Sequence, residues 1–147
     1  MRTVRQLLEA KSPDKGWPEV HSIGPDAPVI DAIRLMAERR IGALLVMEGD
    51  RLAGILSERD YARKVVLQGR SSKDTPVHDI MTAQVISVGL HDSTEHCMQL
   101  VTHGRIRHLP VLDGAQVVGV ISIGDLVKAV IEEQRQELDH LQRYIAS

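Results

Sequence analysis

The stretch Gly54-Ile55-Leu56-Ser57-Glu58-Arg59-Asp60 is matched, 65 positions later, by Gly119-Val120-Ile121-Ser122-Ile123-Gly124-Asp125. The same offset aligns residues 20–66 with residues 85–131 without a gap, so Val20–Gly24 falls on Val85–Gly89. An internal repeat of about 50 residues predicts two copies of one supersecondary unit that pack together. Any site formed at their seam is therefore expected twice, in related form.

Each repeat has the pattern strand, helix, strand, strand, helix. In the first repeat, apolar runs and helical periodicity predict strands at Val20–Ile23, Ala43–Met47 and Arg51–Leu56, and helices at Val29–Arg40 and Asp60–Gln68. In the second repeat, Asp113-Gly114 is a hairpin signal, and Asp92 or Ser93 can cap the first helix. The predicted fold class is α+β, with two pseudo-symmetric β-α-β-β-α repeats.

The sequence also predicts the organisation of the segments around the repeats. We expect an N-terminal helix and lead-in loop at 1–19, repeat 1 at 20–68, a polar linker at 69–84, repeat 2 at 85–131 and a C-terminal helix extension at 132–147. Val77–Met81 in the linker echoes Val4–Leu8 at the N-terminus. Ile131, Leu138, Leu141 and Ile145 form a narrow apolar stripe, which fits packing on the domain or on a partner helix.

Composition narrows the class of protein. The 147 residues carry a formal net charge of −2 and contain no Phe, one Trp and two Tyr. Neither a strong positive field nor aromatic stacking platforms are present, which argues against nucleic acid as a partner. The N-terminus has no long apolar run typical of a signal peptide or membrane span. The single cysteine, Cys97, cannot form an internal disulfide, so we expect a cytoplasmic protein.

With these motifs the chain resembles a tandem pair of CBS domains, often called a Bateman module. The resemblance is carried by the two G-x-x-S-x-x-D stretches at Gly54–Asp60 and Gly119–Asp125, by Arg107–Val111 and by Val77–Thr82. It covers nearly the whole chain and is strongest with the small stand-alone members of the family. It implies two units related by a pseudo-twofold axis, with their sheets face to face and two clefts between them. It also implies adenosine ligands (AMP, ADP, ATP, NAD or S-adenosylmethionine) and a homodimer.

A carboxylate suits the ribose of such ligands, because it can accept a hydrogen bond from each of two vicinal hydroxyl groups. Asp60 and Asp125, with Ser57 and Ser122, are therefore the candidate ribose-binding residues. A competing interpretation is purely structural, since Ser and Asp at the start of a helix commonly cap its free N–H groups. The two roles can coexist if the serine caps and the aspartate binds.

In the family, each cleft takes its ribose aspartate from one repeat and its adenine and phosphate contacts from the other. By this resemblance, cleft A would combine Ser122 and Asp125 with Ala27, Ala32, Ile41, Gly42 and Ala43. Cleft B would combine Ser57 and Asp60 with Asp92, Cys97, Ile106, Arg107 and His108. Adenine would then lie on aliphatic walls and be read by backbone groups.

The two predicted clefts differ in charge. Arg107 and His108 place cationic donors where the phosphates would lie in cleft B, whereas cleft A has Gly42 and Ala43 at the matching positions. We therefore expect cleft B to prefer phosphate-rich ligands, although Asp92 places a negative charge nearby. The alternative is that Arg107 and His108 form only a solvated strand edge.

Other chemistries find little support in the sequence. His91, His96, His103 and His108 fall in one stretch with Cys97, but neither the spacing of a zinc helix nor a second cysteine is present, so no metal site is expected. Cys97 occupies the position of Ala32 in the first repeat, which predicts a small buried side chain. No nucleophile–base motif, P-loop or dinucleotide fingerprint occurs, so we expect no enzyme activity.

The function predicted from the sequence is a regulatory or sensor module that binds an adenosine nucleotide and couples its occupancy to conformation or partner contacts. No catalytic cofactor is expected. The first alternative is a ligand-free dimeric interaction module, and the second is a regulator that binds nucleic acid.

Overall fold

The repeats form the two halves of a computed structural model that describes residues 2–11 and 19–146. The first unit contains Glu19–Val85 and Ala115–Val117, and the second contains the other described residues. Each unit has a three-stranded sheet with helices packed on it, as the repeat pattern predicted. The predicted α+β class is thereby confirmed.

In the first unit the sheet order is β1-β2-β3, with β1 at Ser22–Ile23, β2 at Ala43–Glu48 and β3 at Arg51–Ser57. Strand β1 runs parallel to β2, and β2 pairs antiparallel with β3 through a hairpin. Gly49 in that hairpin has φ +62°, a left-handed conformation that glycine adopts without strain. The crossover from β1 to β2 is helix α2 at Val29–Arg39.

The second unit repeats this plan. Its sheet order is β4-β5-β6, with β4 at Val88–Gly89, β5 at His108–Asp113 and β6 at Gln116–Ser122. Helix α4 (Thr94–Gly104) follows β4, and helix α5 (Ile123–Ala146) follows β6. Even the helix ends correspond: α2 and α4 both stop at an arginine in the left-handed region, Arg40 with φ 55° and Arg105 with φ 52°.

Several element boundaries differ from the sequence prediction for local reasons. The first predicted strand is shortened to Ser22–Ile23, where it pairs with β2. The helix predicted at Asp60–Gln68 begins earlier, as α3 at Glu58–Tyr61, because Ser57 caps it. It continues as a π-helical turn at Ala62–Val66, where the Leu67 N–H donates to the Ala62 carbonyl five residues back. Ser93, and not Asp92, caps α4.

The two lead-in segments are exchanged between the repeats. Helix α1 (Val4–Lys11) precedes repeat 1 in the chain, yet Val4 and Leu8 are fully buried in the core of the second unit. Val77 and Ile80 precede repeat 2, yet they are fully buried in the core of the first unit, around a 3₁₀ turn at Val77–Asp79. The echo between Val77–Met81 and Val4–Leu8 thus reflects equivalent packing positions.

The glycine of each G-x-x-S-x-x-D stretch lies where a lead-in segment crosses a strand. A Cβ atom on Gly54 would lie 2.7 Å from the Met81 Sδ atom and 2.8 Å from the Thr82 carbonyl oxygen. A Cβ on Gly119 would lie 2.7 Å from a Leu8 methyl carbon. A side chain at Gly54 would therefore clash with the backbone of its lead-in segment, whereas one at Gly119 would require the Leu8 side chain to shift.

Helix α5 extends well beyond its buried part. Leu126 and Ala129 are buried in the second unit, whereas the side chains of the predicted apolar stripe are exposed: Ile131, Leu138, Leu141 and Ile145. Within the described residues the stripe is therefore not packed on the domain, which leaves the interpretation as a surface for a partner helix.

Candidate functional site

The first candidate site is built on the turn from β3 into α3. The Ser57 Oγ accepts a hydrogen bond from the Asp60 N–H at 3.2 Å, and the Asp60 Oδ2 accepts one from the Ser57 N–H at 3.0 Å. This reciprocal pair is a capping box with aspartate at the third helical position. The predicted capping role is confirmed, and it fixes the position of the Asp60 carboxylate.

The second site has the same geometry at the turn from β6 into α5. The Asp125 N–H donates to the Ser122 Oγ at 3.1 Å, and the Ser122 N–H donates to the Asp125 Oδ2 at 2.8 Å. In both units the cap uses Oδ2 of the aspartate. The backbone of the preceding loop supports each turn, because the Glu58 N–H donates to the Gly42 carbonyl and the Ile123 N–H donates to the Arg107 carbonyl.

Each aspartate also has a lysine partner, which the sequence analysis missed. The Lys64 Nζ lies 3.5 Å from the Asp60 Oδ1 and donates to the Ile80 carbonyl at 3.0 Å. The Lys11 Nζ lies 3.0 Å from the Asp125 Oδ2 and donates to the Val120 carbonyl at 3.0 Å. The spacing of four residues between Asp60 and Lys64 on a predicted helix could have predicted their ion pair. Nothing local indicated Lys11, which is 114 residues from Asp125.

The surroundings of Asp125 favour its charged form. Burial opposes ionisation, but the hydrogen bond from the Ser122 backbone and the contacts with the Lys11 ammonium outweigh it, so the pKa of Asp125 lies below its usual value. Asp125 is therefore an ionised acceptor at neutral pH. An ionised acceptor forms stronger hydrogen bonds with hydroxyl groups than a neutral one does.

The predicted wall residues of the first unit fall into two groups. Ala32 is fully buried in the core, and Ala27 and Ile41 pack against that core while remaining partly exposed. Gly42 and Ala43 are half-buried at the start of β2, next to the start of α3 through the Gly42 carbonyl. The structure thus brings Gly42 close to Ser57 and Asp60 within one unit. The predicted pairing of these walls with the motif of the other repeat stays a prediction.

In the second unit, Asp92 has a structural role. Its Oδ2 accepts a hydrogen bond from the Gly89 N–H at 2.7 Å, and its carbonyl accepts one from the Val4 N–H at 2.9 Å. Ile106 packs against the core, Arg107 is exposed and His108 is half-buried at the start of β5. The two predicted phosphate donors are therefore adjacent and at least partly accessible.

Cys97 is fully buried, as its correspondence with Ala32 predicted. Burial, together with the negative charge of Asp92, raises the pKa of the Cys97 thiol to about 11. The thiol is thus protonated at neutral pH, and a buried neutral thiol is a poor nucleophile. Its position in the core is that of a small apolar side chain.

Among residues 2–11 and 19–146, no three His, Cys, Asp or Glu side chains come together as a group able to hold a metal ion. None of the helices in those ranges is long and apolar enough to cross a membrane.

Comparison with known proteins identifies the repeats. The CBS domain family is matched by residues 16–67 and 77–132. The CBS domain-containing protein CBSX3, mitochondrial, of Arabidopsis thaliana is 44% identical over 150 residues, which cover 97% of this chain and 71% of that protein.

Solved structures agree with this family. A putative signal-transduction protein with CBS domains from Burkholderia ambifaria is 56% identical, with a TM-score of 0.85 over 90% of this chain and 96% of that one. The CBS domain pair of protein MJ0100, in complex with 5′-methylthioadenosine and S-adenosyl-L-methionine, shares the fold at 20% identity, with a TM-score of 0.77 over 90% of this chain and 98% of that one. The chain belongs to the CBS-domain family and carries two CBS domains.

Proposed function

We propose that this CBS pair is a regulatory module that binds an adenosine-containing ligand through its two Ser-x-x-Asp motifs. The observation that carries the proposal is the duplicated capping box, in which Ser57 with Asp60, and Ser122 with Asp125, hold a carboxylate at a helix start through Oδ2. A carboxylate accepts hydrogen bonds through both of its oxygens, so an aspartate whose cap uses Oδ2 can also accept one from a ribose hydroxyl group. The cap and the binding role are thus compatible.

The class of ligand follows from the chemistry of the diol. 5′-Methylthioadenosine and S-adenosyl-L-methionine, the ligands named with the MJ0100 structure, both contain an adenosine ribose. For this chain we propose AMP, ADP, ATP or NAD, because the permanently charged guanidinium of Arg107 and the imidazole of His108 lie at the start of β5. The predicted grouping into clefts A and B remains part of this proposal.

Regulation would operate by population shift. A ligand that prefers one arrangement of the protein stabilises that arrangement by its differential affinity and by no more. No enzyme activity is proposed. The cytoplasmic location expected from the sequence also remains a prediction, and fractionation of the cells that make the protein would test it.

The proposal is tested by thermal denaturation with adenosine, AMP, ADP, ATP, NAD and S-adenosylmethionine. A ligand at 100 times its dissociation constant should stabilise the fold by about 2.7 kcal/mol, which raises the melting temperature by several degrees. Asp60→Asn and Asp125→Asn are the matched variants, because asparagine keeps an acceptor oxygen for the cap but loses the charge. The expected result is a shift that one of them abolishes. A folded wild type with no shift for any ligand would contradict the proposal.

A second function, the dimeric interaction module, is favoured by the exposed stripe on α5. Leu138, Leu141 and Ile145 are 56%, 53% and 75% exposed, which is unusual for three large apolar side chains on one helix. We propose that the stripe takes part in homodimer formation. Analytical ultracentrifugation of the wild type beside Leu138→Glu and Leu141→Glu tests this. A dimer that dissociates in the variants is expected, and a wild-type monomer at high concentration would contradict it.

A further inference from the structure

Lys11 links the N-terminal helix to the second Ser-x-x-Asp motif. It is the last residue of α1, and its Nζ lies 3.0 Å from both the Val120 carbonyl oxygen and the Asp125 Oδ2. The rest of α1 is firmly held, because Val4 and Leu8 are fully buried in the core of the second unit. The buried part of α1 thus positions the Lys11 ammonium next to Asp125.

A ribose diol and an ammonium compete for the lone pairs of a carboxylate, because both donate hydrogen bonds to its oxygens. The Asp125 Oδ2 already accepts the Ser122 N–H at 2.8 Å and Lys11 at 3.0 Å. A diol that engages both carboxylate oxygens therefore needs the lone pair that Lys11 occupies. Because the Lys11 side chain is 36% exposed, its ion pair is weak enough to be displaced.

The first motif receives its lysine from its own helical segment and not from a lead-in segment. Lys64 lies on the same helical segment as Asp60, is 3.5 Å from the Asp60 Oδ1 and has its hydrogen bond to the Ile80 carbonyl. Displacing Lys64 would move a side chain of that helical segment together with its hydrogen bond to the Ile80 carbonyl. Displacing Lys11 would release the end of α1.

We propose that Lys11 is a tethered competitor for the ligand diol at Asp125, so that ligand binding there releases the end of α1 that follows Leu8. This inference rests on the proposed function and adds a residue that sets specificity and couples the site to the N-terminal segment. It favours ligands whose diol donates strongly to the carboxylate. It also makes α1 the element that reports occupancy.

The test uses adenosine, which carries no phosphate, so that Lys11 cannot act as a phosphate contact. Isothermal titration of the full chain should give an adenosine affinity about two- to five-fold higher for Lys11→Met than for wild type. Lys11→Ala serves as a second variant, and Lys128→Met, one helical turn from Asp125, controls for loss of a positive charge. Affinity for 2′,3′-dideoxyadenosine should not change, because it has no diol.

Hydrogen exchange gives an independent readout. Saturating adenosine should speed exchange of the backbone amides in a peptide spanning Val4–Lys11 in wild type and leave Lys11→Met unchanged. The inference is overturned if adenosine binding depends on Asp125 but Lys11→Met leaves it equal or weaker. It is also overturned if that peptide exchanges equally with and without adenosine. If no adenosine compound binds wild type at all, the proposed function fails, and this inference with it.

Discussion

The two Ser-x-x-Asp motifs have the same capping box but receive their lysines from different places. Asp60 is paired with Lys64, four residues away, and Asp125 is paired with Lys11, 114 residues away. The hydrogen bonds of the cap depend only on local backbone and therefore repeat with the sequence. One lysine comes from the motif's own helical segment and the other from α1, so the lysine contacts do not repeat. Duplication thus preserved the capping geometry, while the lysine contact of each carboxylate diverged.

The two lead-in segments, by contrast, contribute equivalent buried side chains to the cores of the two units. Leu8 and Ile80 are both fully buried, so replacing either by alanine should cost about 3 kcal/mol of unfolding free energy. Urea denaturation checks this. Leu67→Ala is the control, because Leu67 is 78% exposed and its truncation should change stability by less than about 0.5 kcal/mol. If either buried variant behaved like Leu67→Ala, that lead-in segment would not be part of a core.

The two motif glycines should respond unequally to the same substitution. Gly54→Ala forces a Cβ toward the Thr82 backbone oxygen, which cannot rotate away, and should cost about 3 kcal/mol. Gly119→Ala meets only the end of the Leu8 side chain, which can turn, and should cost about 1 kcal/mol. The same denaturation assay separates them. Equal losses would show that the two crossings are equally rigid.

The caps should contribute almost equally. Ser57→Ala and Ser122→Ala should each cost about 1 kcal/mol, because each removes the acceptor of a helix N–H. The Ser57 hydroxyl also donates to the Asp60 Oδ2 at 3.1 Å, so Ser57→Ala should be slightly worse. Ser→Thr at either position keeps the hydroxyl group and should restore most of the loss. Failure of threonine to restore stability would assign the cost to packing.

The smallest effect concerns pH. Because the pKa of Asp125 is lowered in the folded state, its ionisation adds stability above its ordinary pKa, and this is lost as the pH falls through the folded value. Lys11→Met should therefore cost up to about 1 kcal/mol at pH 7 and less in acid. The difference in unfolding free energy between Lys11→Met and wild type should not fall to zero in acid, because Lys11 also donates a hydrogen bond to the Val120 carbonyl, which does not titrate. A difference in unfolding free energy that grew as the pH fell would contradict this account.

Much of the fold could be predicted because it depends on local pattern. The repeat offset indicated the element order, the correspondence with Ala32 indicated that Cys97 is buried, and Ser57 and Ser122 indicated the caps. Contacts between distant segments were not readable. Neither the burial of Val77 in the first unit nor the contact of Lys11 with Asp125 leaves a periodic signal, and no sequence pattern marks the π-helical turn after Tyr61.

The central claim is that Asp60 and Asp125 bind the ribose of an adenosine ligand. Isothermal titration of wild type and of the double variant Asp60→Asn/Asp125→Asn with the best ligand tests it most directly. We predict saturable binding to wild type and none to the double variant, whose fold is verified by circular dichroism. Binding of the double variant with wild-type affinity would contradict the account and leave the two motifs as helix caps alone.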